Sequence, residues 1–298
     1  MARGYLAVDG GGSSSEFLLV GESGEELLHF FVGSTSKKSI GVEGAAANIA
    51  AGARKLLDYL ESDGCTLTEV RGVWGLSGCD SAADQEEYEY MLQSAGLDLA
   101  YHQVVNDSLL ALRACVPEGP GVVVIAGTGS ICVGVNAAGE TCRLGGWGYQ
   151  VSDLGSGTWV GSQLLQEALL FDDGCREDDP AFAAVYAQAG CGRGELGPVV
   201  AQFAGVNELA AFARIVFETP DSPLCAKLTG QAAEYLAAYV RSAQQRGFSG
   251  PVVLAGGLFR SDDLLARVQS LLDVPVTRLD VSPVLGGITL TCDKIVRA

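Results

Sequence analysis

Apolar residues along the chain fall into short runs that are separated by glycine-rich or polar turns. The pattern predicts strands over 4–9, 16–21 and 27–33, which form a meander. It then predicts a helix over about 42–62, a strand over 69–76, a helix over 83–95, a strand over 101–105 and a helix from about 107. A meander followed by alternating helices and strands is typical of an α/β fold whose later strands run parallel.

The same layout begins again in the second half, at "GVVVIAGTGSICVGVNAAGE" (121–140). Aligned without gaps, Gly12-Ser13 falls on Gly127-Thr128, which is the self-similarity expected of a duplicated α/β unit. Much of 174–247 is predicted to be helical, and predicted strands over 251–257 and 275–280 each precede a helix. We therefore expect one domain over 1–115 and another over 116–298, with a last helix over about 284–298 that packs back on the first domain.

Composition and charge narrow the classes of function. The 298 residues are 48% apolar and include 40 glycines, as expected for a globular chain large enough for two domains. The net charge of −17 argues against nucleic acid and anionic membrane surfaces as partners. No apolar run is long enough to span a bilayer, and the chain enters a strand at once. We therefore expect a cytoplasmic protein without a signal peptide.

The nine cysteines are scattered and never form a C-x-x-C pair, and the chain has only two histidines. This spacing argues against a zinc site. It predicts instead that most of the cysteines are small buried hydrophobes in a reducing compartment.

Two glycine-rich turns, one in each half, are the first candidates for chemistry. The turn after Asp9, "GGGSSS", lacks the lysine of a Walker A loop, and Ser15 stands where the dinucleotide fingerprint needs a third glycine. Either turn alone is also explained as an ordinary β-turn. Equivalent turns in both halves favour a polyphosphate site, in which backbone N–H groups and the hydroxyls of Ser13, Ser14, Thr128 and Ser130 donate to phosphate oxygens. Mg²⁺ would then replace the lysine, with Asp9 holding it through water.

Asp107 follows the strand over 101–105 and begins a helix, so it lies where open α/β sheets place their ligands. In phosphoryl transfer one carboxylate accepts the proton of the attacking hydroxyl, and Asp107 is our candidate for that role. The alternative interpretation is that Asp107 caps the helix, and the two roles are compatible.

Six segments together resemble the N-acetylglucosamine kinase branch of the BadF/BadG/BcrA/BcrD ATPase family, within the actin, hexokinase and heat-shock ATPase superfamily. They are "VDGGGSSS", "VNDSLLAL", "VVVIAGTGSICVGV", "GGWGYQVSDLGSGTWVG", "VVLAGGLFRSDDLL" and "SPVLGGITL". The resemblance covers nearly the whole chain, is weakest over 174–225, and is most specific at "GGWG" followed by Asp153. It implies two ribonuclease-H-like domains of the actin/hexokinase type with a cleft between them.

The resemblance implies an ATP- and Mg²⁺-dependent kinase that phosphorylates the 6-hydroxyl of an amino sugar. The expected sugar is N-acetylglucosamine or a relative such as glucosamine or N-acetylmuramic acid. The implied nucleotide-binding residues are Gly10, Gly11, Gly12, Ser13, Ser14, Gly127, Thr128, Gly129, Gly256 and Gly257, and Asp9 is the implied metal-binding residue. The implied substrate-binding residues are Ser36, Ser77, Gly78, Asp107, Ser130, Gly146, Trp147, Gly148 and Asp153.

The chain departs from the family's pattern at two of these places. Leu154 stands where related kinases often have glutamate, and Ser36 stands where an asparagine that contacts the sugar is typical. Trp147 is also explained as a core aromatic. The neighbouring Lys37 and Lys38 either extend into solvent or meet an anion on the substrate or nucleotide.

Two other functions remain open from the sequence. One is the ATPase activator of a 2-hydroxyacyl-CoA dehydratase, although activators carry a cluster-ligating cysteine before the glycine turn and here Cys132 follows the turn. The other is a non-catalytic sugar-binding regulator, which normally carries a DNA-binding module. The expected partners are a small sugar and ATP, and a homodimer is left open beside a monomer.

Overall fold

The computed structural model describes residues 2–203 and 205–296, and the side chains of 292–296 lie outside the described part. Contacts within the chain divide it into two compact units. The first unit comprises Met1–Glu118 together with Leu279–Ala298, and the second comprises Gly119–Arg278. The end of the predicted last helix, 297–298, lies outside the described residues.

The elements alternate as the sequence pattern indicates. The strands are β1 Ala2–Gly10, β2 Ser14–Gly21, β3 Glu26–Gly33, β4 Leu67–Leu76, β5 His102–Val105, β6 Gly121–Ala126, β7 Ser130–Val135, β8 Thr141–Gly145, β9 Val252–Ala255 and β10 Val276–Arg278. The helices are α1 Lys37–Leu60, α2 Ala82–Ser94, α3 Asp107–Cys115, α4 Gly157–Asp172, α5 Pro180–Ala189, α6 Leu196–Val200, α7 Val206–Ala211, α8 Ala213–Glu218, α9 Pro223–Gln245, α10 Asp262–Ser270 and α11 Val284–Val296. Single 3-10 turns occur at Leu99–Tyr101 and Gly257–Arg260.

The first unit is built on a five-stranded sheet in the order β3-β2-β1-β4-β5. β1, β2 and β3 pair antiparallel, whereas β4 and β5 run parallel to β1. Because parallel strands end at the same edge of a sheet, the residues after β1, β4 and β5 are brought together there. That edge carries Asp9, Ser77 and Asp107.

Helices cover both faces of this sheet. α1 and α2 pack on the face whose core includes Leu6, Phe17 and Trp74, all fully buried. α3 and α11 pack together and against β1 and β4. The close approach of α11 needs a glycine, because a Cβ on Gly286 would lie 1.9 Å from the carbonyl oxygen of Leu110.

The second unit repeats this topology, with strand order β10-β9-β6-β7-β8. Here β6, β7 and β8 pair antiparallel and β9 and β10 run parallel to β6. The match between the two halves of the sequence therefore corresponds to two sheets of one topology. The hydrophobic core of this unit includes buried side chains of α4, α8 and α9.

Each strand predicted from the sequence is present, with its ends shifted by two residues or fewer. The pattern missed β8, which is short and polar, and α4, whose start "GTWVG" contains poor helix formers. Gly161 in α4 is required by packing, because its Cβ would lie 2.0 Å from the carbonyl oxygen of Leu209. α1 begins at Lys37, before the predicted start near 42, since a first turn precedes a break at Gly41 with φ 76°.

The structure bears on two expectations drawn from composition, the absence of a membrane-spanning segment and the burial of the cysteines. Among residues 2–203 and 205–296, no helix is long and apolar enough to cross a membrane. The eight described cysteines are free thiols, of which three are buried, four are half-buried and Cys175 is exposed. The prediction that most are buried is therefore wrong for this part of the chain, and the side chain of Cys292 lies outside it.

Candidate active site

The first glycine turn (residues 10–14) connects β1 to β2. The N–H of Gly11 donates to the carbonyl of Ser14 at 3.1 Å and closes the turn. A side chain at position 10 has no room, because a Cβ on Gly10 would lie 2.4 Å from Thr35 Oγ1 and 2.5 Å from a methyl of Leu76. Gly12, Ser13 and Ser14 are exposed, so their N–H and hydroxyl groups are available to a ligand.

Neighbouring segments hold this turn in place. The Ser34 hydroxyl donates to the carbonyl of Gly11 at 3.0 Å, and the N–H of Ser77 donates to the carbonyl of Gly10 at 2.8 Å. Ser15 is fully buried, and its hydroxyl is 2.9 Å from that of Thr35. Sequence reasoning missed Ser34 and Thr35, because their role depends on contacts between segments about 20 residues apart.

The carboxylates of Asp9 and Asp107 lie at the same edge of the sheet, near those of Glu16 and Asp80. Burial and the charges of Asp107 and Glu16 raise the pKa of Asp9 to about 7. Burial also raises the pKa of Asp107 to about 6, with a further contribution from Asp80 and against hydrogen bonds from Ser108 and Ser77. Burial is the largest cause of both raised pKa values, and the neighbouring carboxylates add to it, so a cation at this place would favour the charged forms.

These carboxylates fit Mg²⁺, since it prefers hard oxygen ligands and keeps several of its waters. Within the part of the chain that the structure describes, no three His, Cys, Asp or Glu side chains are arranged as ready metal ligands. A hydrated ion that a carboxylate holds through water would not need such a cluster.

The capping interpretation of Asp107 is wrong, because the N-cap of α3 is Asn106. The side-chain oxygen of Asn106 accepts from the N–H of Ser108 at 3.0 Å, and Asp107 is the first helical residue. Asn106 also donates to the carbonyl of Cys79 at 3.2 Å and to Asp80 at 3.0 Å. The cap thus fixes the start of α3 against the segment after β4. Asp107 is not the N-cap residue, but its Oδ1 also accepts from the Ser108 N–H, at 2.9 Å.

The segment that begins α1 carries Ser36 and the two lysines. Ser36 is buried at the N-cap position, and its side chain makes no capping bond. Lys37 is only 9% exposed and pairs with Asp84 at 2.7 Å and with Glu87, so the expectation that it extends into solvent is wrong. Lys38 is 57% exposed and pairs with Asp80.

The second glycine turn (residues 127–130) connects β6 to β7 in the second unit. The N–H of Gly127 donates to the carbonyl of Gly129 at 2.9 Å. The first residues of α4 hold the turn, because the N–H groups of Gly157 and Thr158 donate to the carbonyls of Gly127 and Thr128 at 2.8 and 3.1 Å. The Thr128 residue is exposed. Ser130 is buried, and its hydroxyl donates to the carbonyl of Leu154 at 2.9 Å, so it orders the loop instead of facing solvent.

Asp153 lies in the loop between β8 and α4 with its backbone in the left-handed region. Its φ is 55°, the one positive value of a non-glycine residue among those described, and the residue is only 8% exposed. Its Oδ1 atom has no hydrogen-bond partner among the described residues. Burial raises the pKa of the carboxyl group, and N–H groups of Gly148 and Ser130 oppose the rise. A strained, buried carboxylate with a free oxygen is typical of a prepared acceptor for ligand hydroxyls.

Trp147 in the same loop is 69% exposed, so its interpretation as a core aromatic is wrong. The guanidinium of Arg143 lies 4.3 Å from the centre of its ring. The flanking Gly146 and Gly148 have φ of 72° and 101°, which glycine adopts readily. The loop therefore presents an aromatic face and a carboxylate through a backbone that needs glycine.

A cavity of about 690 Å³ lies next to the turn after β9. Gly256 has φ 101°, and a Cβ there would lie 2.3 Å from the carbonyl oxygen of Ala126. The walls combine the apolar Phe217 and Leu258 and the cationic Arg214 and Arg260 with three acidic residues, Glu218, Asp262 and Asp263. Sequence reasoning placed Gly256 and Gly257 here but missed the α8 wall, because nothing in 174–247 matched a motif.

The chain is similar to known proteins over most of its length. The model of the BadF/BadG/BcrA/BcrD ATPase family matches residues 6–284. The chain belongs to this family. An N-acetylmuramic acid/N-acetylglucosamine kinase of Clostridium acetobutylicum is 32% identical over 165 residues, which cover 55% of this chain and 53% of that protein. An N-acetyl-D-glucosamine kinase of Dictyostelium discoideum is 30% identical over 177 residues, which cover 57% of this chain and 55% of that protein. The matches thus span about half the length of these curated relatives.

A solved structure from Chromobacterium violaceum, provisionally assigned as an N-acetylglucosamine kinase, superposes with a TM-score of 0.77 at 22% identity. The superposition covers 97% of this chain and 99% of that chain. At this identity the likeness shows the fold, which is the two-domain α/β fold of the actin and hexokinase type. The predicted fold class and the resemblance to this ATPase family are both confirmed.

Proposed function

We propose that this member of the ATPase family is an ATP-dependent kinase that phosphorylates the 6-hydroxyl of an amino sugar. The sugar is N-acetylglucosamine or a relative such as glucosamine or N-acetylmuramic acid. The observation that carries the proposal is the state of Asp107, a carboxylate at the carboxyl end of a strand with a pKa raised to about 6. The names of the matched relatives support the class of substrate.

Asp107 is the proposed acceptor of the proton of the sugar hydroxyl. A pKa of about 6 leaves the group mostly ionised at neutral pH, yet keeps it a stronger base than an ordinary aspartate. The Ser77 hydroxyl and the Ser108 N–H orient the carboxylate by hydrogen bonds to its charged form. Because Asn106 is the N-cap, the Ser108 N–H has a second acceptor beside Asp107.

Each glycine turn is proposed to donate N–H groups to ATP phosphates. The first turn offers Gly12, Ser13 and Ser14, whereas the Gly11 N–H is used within the turn, and the second offers Thr128 and Gly129. Mg²⁺, when bound near Asp9, neutralises phosphate charge. Burial and the charges of Asp107 and Glu16 disfavour the charged form of Asp9, and a cation bound nearby would favour it.

The proposed sugar contacts come from both units. In the first unit they are Ser36, Ser77, Gly78 and Asp107, and in the second they are Ser130, Gly146, Trp147, Gly148 and Asp153. Asp153 is proposed to accept hydrogen bonds from sugar hydroxyls through its free Oδ1. Ser130 contributes indirectly, since its hydroxyl is bonded to Leu154.

The cavity beside Gly256 and Gly257 is proposed to take the adenine and ribose of ATP. A volume of about 690 Å³ suffices for a nucleoside, and Phe217 and Leu258 supply apolar contact for the base. The guanidinium of Arg260 is exposed and makes no ion pair with any residue in the described ranges, so it is available to the ligand.

A coupled assay of ATP turnover across sugars tests the proposal. We expect turnover with N-acetylglucosamine, glucosamine or N-acetylmuramic acid and a 6-phosphate product, identified by ³¹P NMR. Turnover that does not depend on any sugar would contradict it. The activator alternative loses support because Cys132 is fully buried in the core and burial raises its pKa, so it is not a ready cluster ligand. Sugar binding without turnover would instead favour a regulator.

A further inference from the structure

Tyr88 on α2 is a buried side chain to which the proposed function assigns no role. The residue is fully buried, and its hydroxyl touches backbone groups of two other segments. It accepts a hydrogen bond from the N–H of Lys37 at 3.1 Å. It lies 2.9 Å from the carbonyl oxygen of Ser77 and 3.3 Å from that of Thr35.

Two of these groups flank Ser36. The Thr35 carbonyl belongs to the peptide group before Ser36, and the Lys37 N–H belongs to the peptide group after it. The third group, the Ser77 carbonyl, lies in the peptide that joins Ser77 to Gly78. One phenol hydroxyl therefore links both segments of the first unit that carry the proposed sugar-binding serines.

The Tyr88 hydroxyl acts as both a hydrogen-bond donor and an acceptor, which makes it hard to replace. A phenol has one proton, and the shorter contact assigns it to the Ser77 carbonyl. Lys37 is the first residue of α1, so its N–H has no acceptor within the helix. Tyr88 supplies that acceptor. With phenylalanine at this position the Lys37 N–H would lose its acceptor and the Ser77 carbonyl would lose its donor.

Charges around the ring hold Tyr88 in this position. The ammonium of Lys37 lies 5.0 Å from the ring centre and pairs with Asp84 of the same helix as Tyr88 at 2.7 Å. Burial raises the pKa of the phenol, so the hydroxyl stays a donor at neutral pH. α2 and the start of α1 are thereby joined through the ring as well as through the hydroxyl.

We propose that Tyr88 is a positioning residue for the sugar, which fixes the backbone at Ser36 and Ser77 so that both serines meet the substrate. The inference rests on the proposed function of this site. Serine at position 36 makes the device necessary, since a short side chain reaches a ligand only if its backbone is held in place. A longer side chain tolerates more backbone movement.

The test compares Tyr88→Phe with Tyr90→Phe, a matched change on the same helix at a side chain that is 70% exposed. We expect Tyr88→Phe to raise KM for the sugar about tenfold, while KM for ATP stays within about twofold. We expect Tyr90→Phe to change neither. The rise in KM should shrink in a Ser36→Ala background, because the two changes then act on the same contact.

Equal kinetics for the two phenylalanine variants would overturn the inference. It would also be overturned if Tyr88→Phe raised KM for the sugar by the same factor in the Ser36→Ala background as in the wild type. If Tyr88→Phe does not fold, amide hydrogen exchange of the wild type decides. The Lys37 N–H should be protected from exchange although it lies at the start of a helix, and rapid exchange would overturn the inference. A wild type that turns over no sugar at all would count against the proposed function itself, and it is seen before any variant is made.

Discussion

Replacement of Asp107 by asparagine should remove catalysis and stabilise the protein at the same time. Asparagine has the same shape, and its side-chain oxygen can still accept from the Ser108 N–H, which now lies 2.9 Å from Asp107 Oδ1. Asn106 keeps the cap of α3. The variant therefore loses a charge and a proton acceptor without losing the local structure.

The kinetic effect follows from the role of a general base. Removing such a group costs about 10²–10⁴ in turnover, so kcat should fall at least a hundredfold while KM for the sugar changes little. In the wild type, kcat/KM for the sugar should rise with pH through about 6 and then level off, because the ionised carboxylate is the active form. The variant should lack this rise.

The stability effect follows from the raised pKa. Since the folded value of about 6 exceeds the ordinary 3.8, the folded protein binds more protons than the unfolded chain between those values. The folded protein favours the protonated form of Asp107. The free energy of unfolding therefore falls by about 1–3 kcal/mol as pH rises from about 4 to 6 and the group ionises. The neutral amide of the Asp107→Asn variant avoids that cost, so its free energy of unfolding should exceed that of the wild type at pH 7, and by less at pH 5.

Urea unfolding at pH 5 and pH 7, beside the coupled assay, checks both effects. Asp98→Asn is the matched control, because Asp98 is exposed and its side chain accepts from the Ala100 N–H at 3.0 Å at another helix start. It should leave activity intact, and it should stabilise the protein at pH 7 less than Asp107→Asn does, because Asp98 is exposed. Near-normal activity of a folded Asp107→Asn protein would remove Asp107 from the mechanism, and a loss of stability at pH 7 would refute the charge argument.

Three further changes test other parts of the site. Asp153→Asn should raise KM for the sugar about tenfold or more and leave KM for ATP unchanged, and equal changes in both constants would contradict its proposed role. Arg260→Ala should raise KM for ATP several-fold and leave the melting temperature unchanged. The control Arg54→Ala, at another exposed arginine, should change neither KM for ATP nor the melting temperature. Lys37→Gln should cost about 1–2 kcal/mol in urea unfolding at neutral pH, because it removes the partner of Asp84. Its effects on acidic and neutral sugars should be alike, and a selective loss with the acidic sugar would show that Lys37 meets the substrate.

The sheets were predictable from the sequence because apolar runs and glycine turns follow local rules. β1 and β6 are short apolar runs that end at a glycine-rich turn, and the repeat between them indicated a duplicated topology. The order of helix and strand then placed Asp107 at the end of β5. None of these inferences needed contacts between distant residues.

The supporting contacts could not be predicted in this way. Tyr88 lies 51 residues from Lys37 and 11 from Ser77, and no local pattern joins those positions. The capping role of Asn106 was missed although the signal was present, since asparagine directly before an aspartate offers two candidate caps. The α8 wall of the cavity was missed because it depends on how a run of short helices packs against the turn after β9.

The two departures from the family's pattern have a common physical consequence. Leu154 replaces a residue that could offer a carboxylate, and its carbonyl instead accepts from the Ser130 hydroxyl at 2.9 Å. Ser36 replaces a longer amide side chain, and the peptide groups on both sides of it are bonded to Tyr88. At each place a hydroxyl holds the main chain where related kinases offer a longer polar side chain. The proposed sugar contacts of each unit therefore depend on fixed backbone geometry and on one carboxylate, Asp107 or Asp153, which we propose accepts from hydroxyl groups of the sugar.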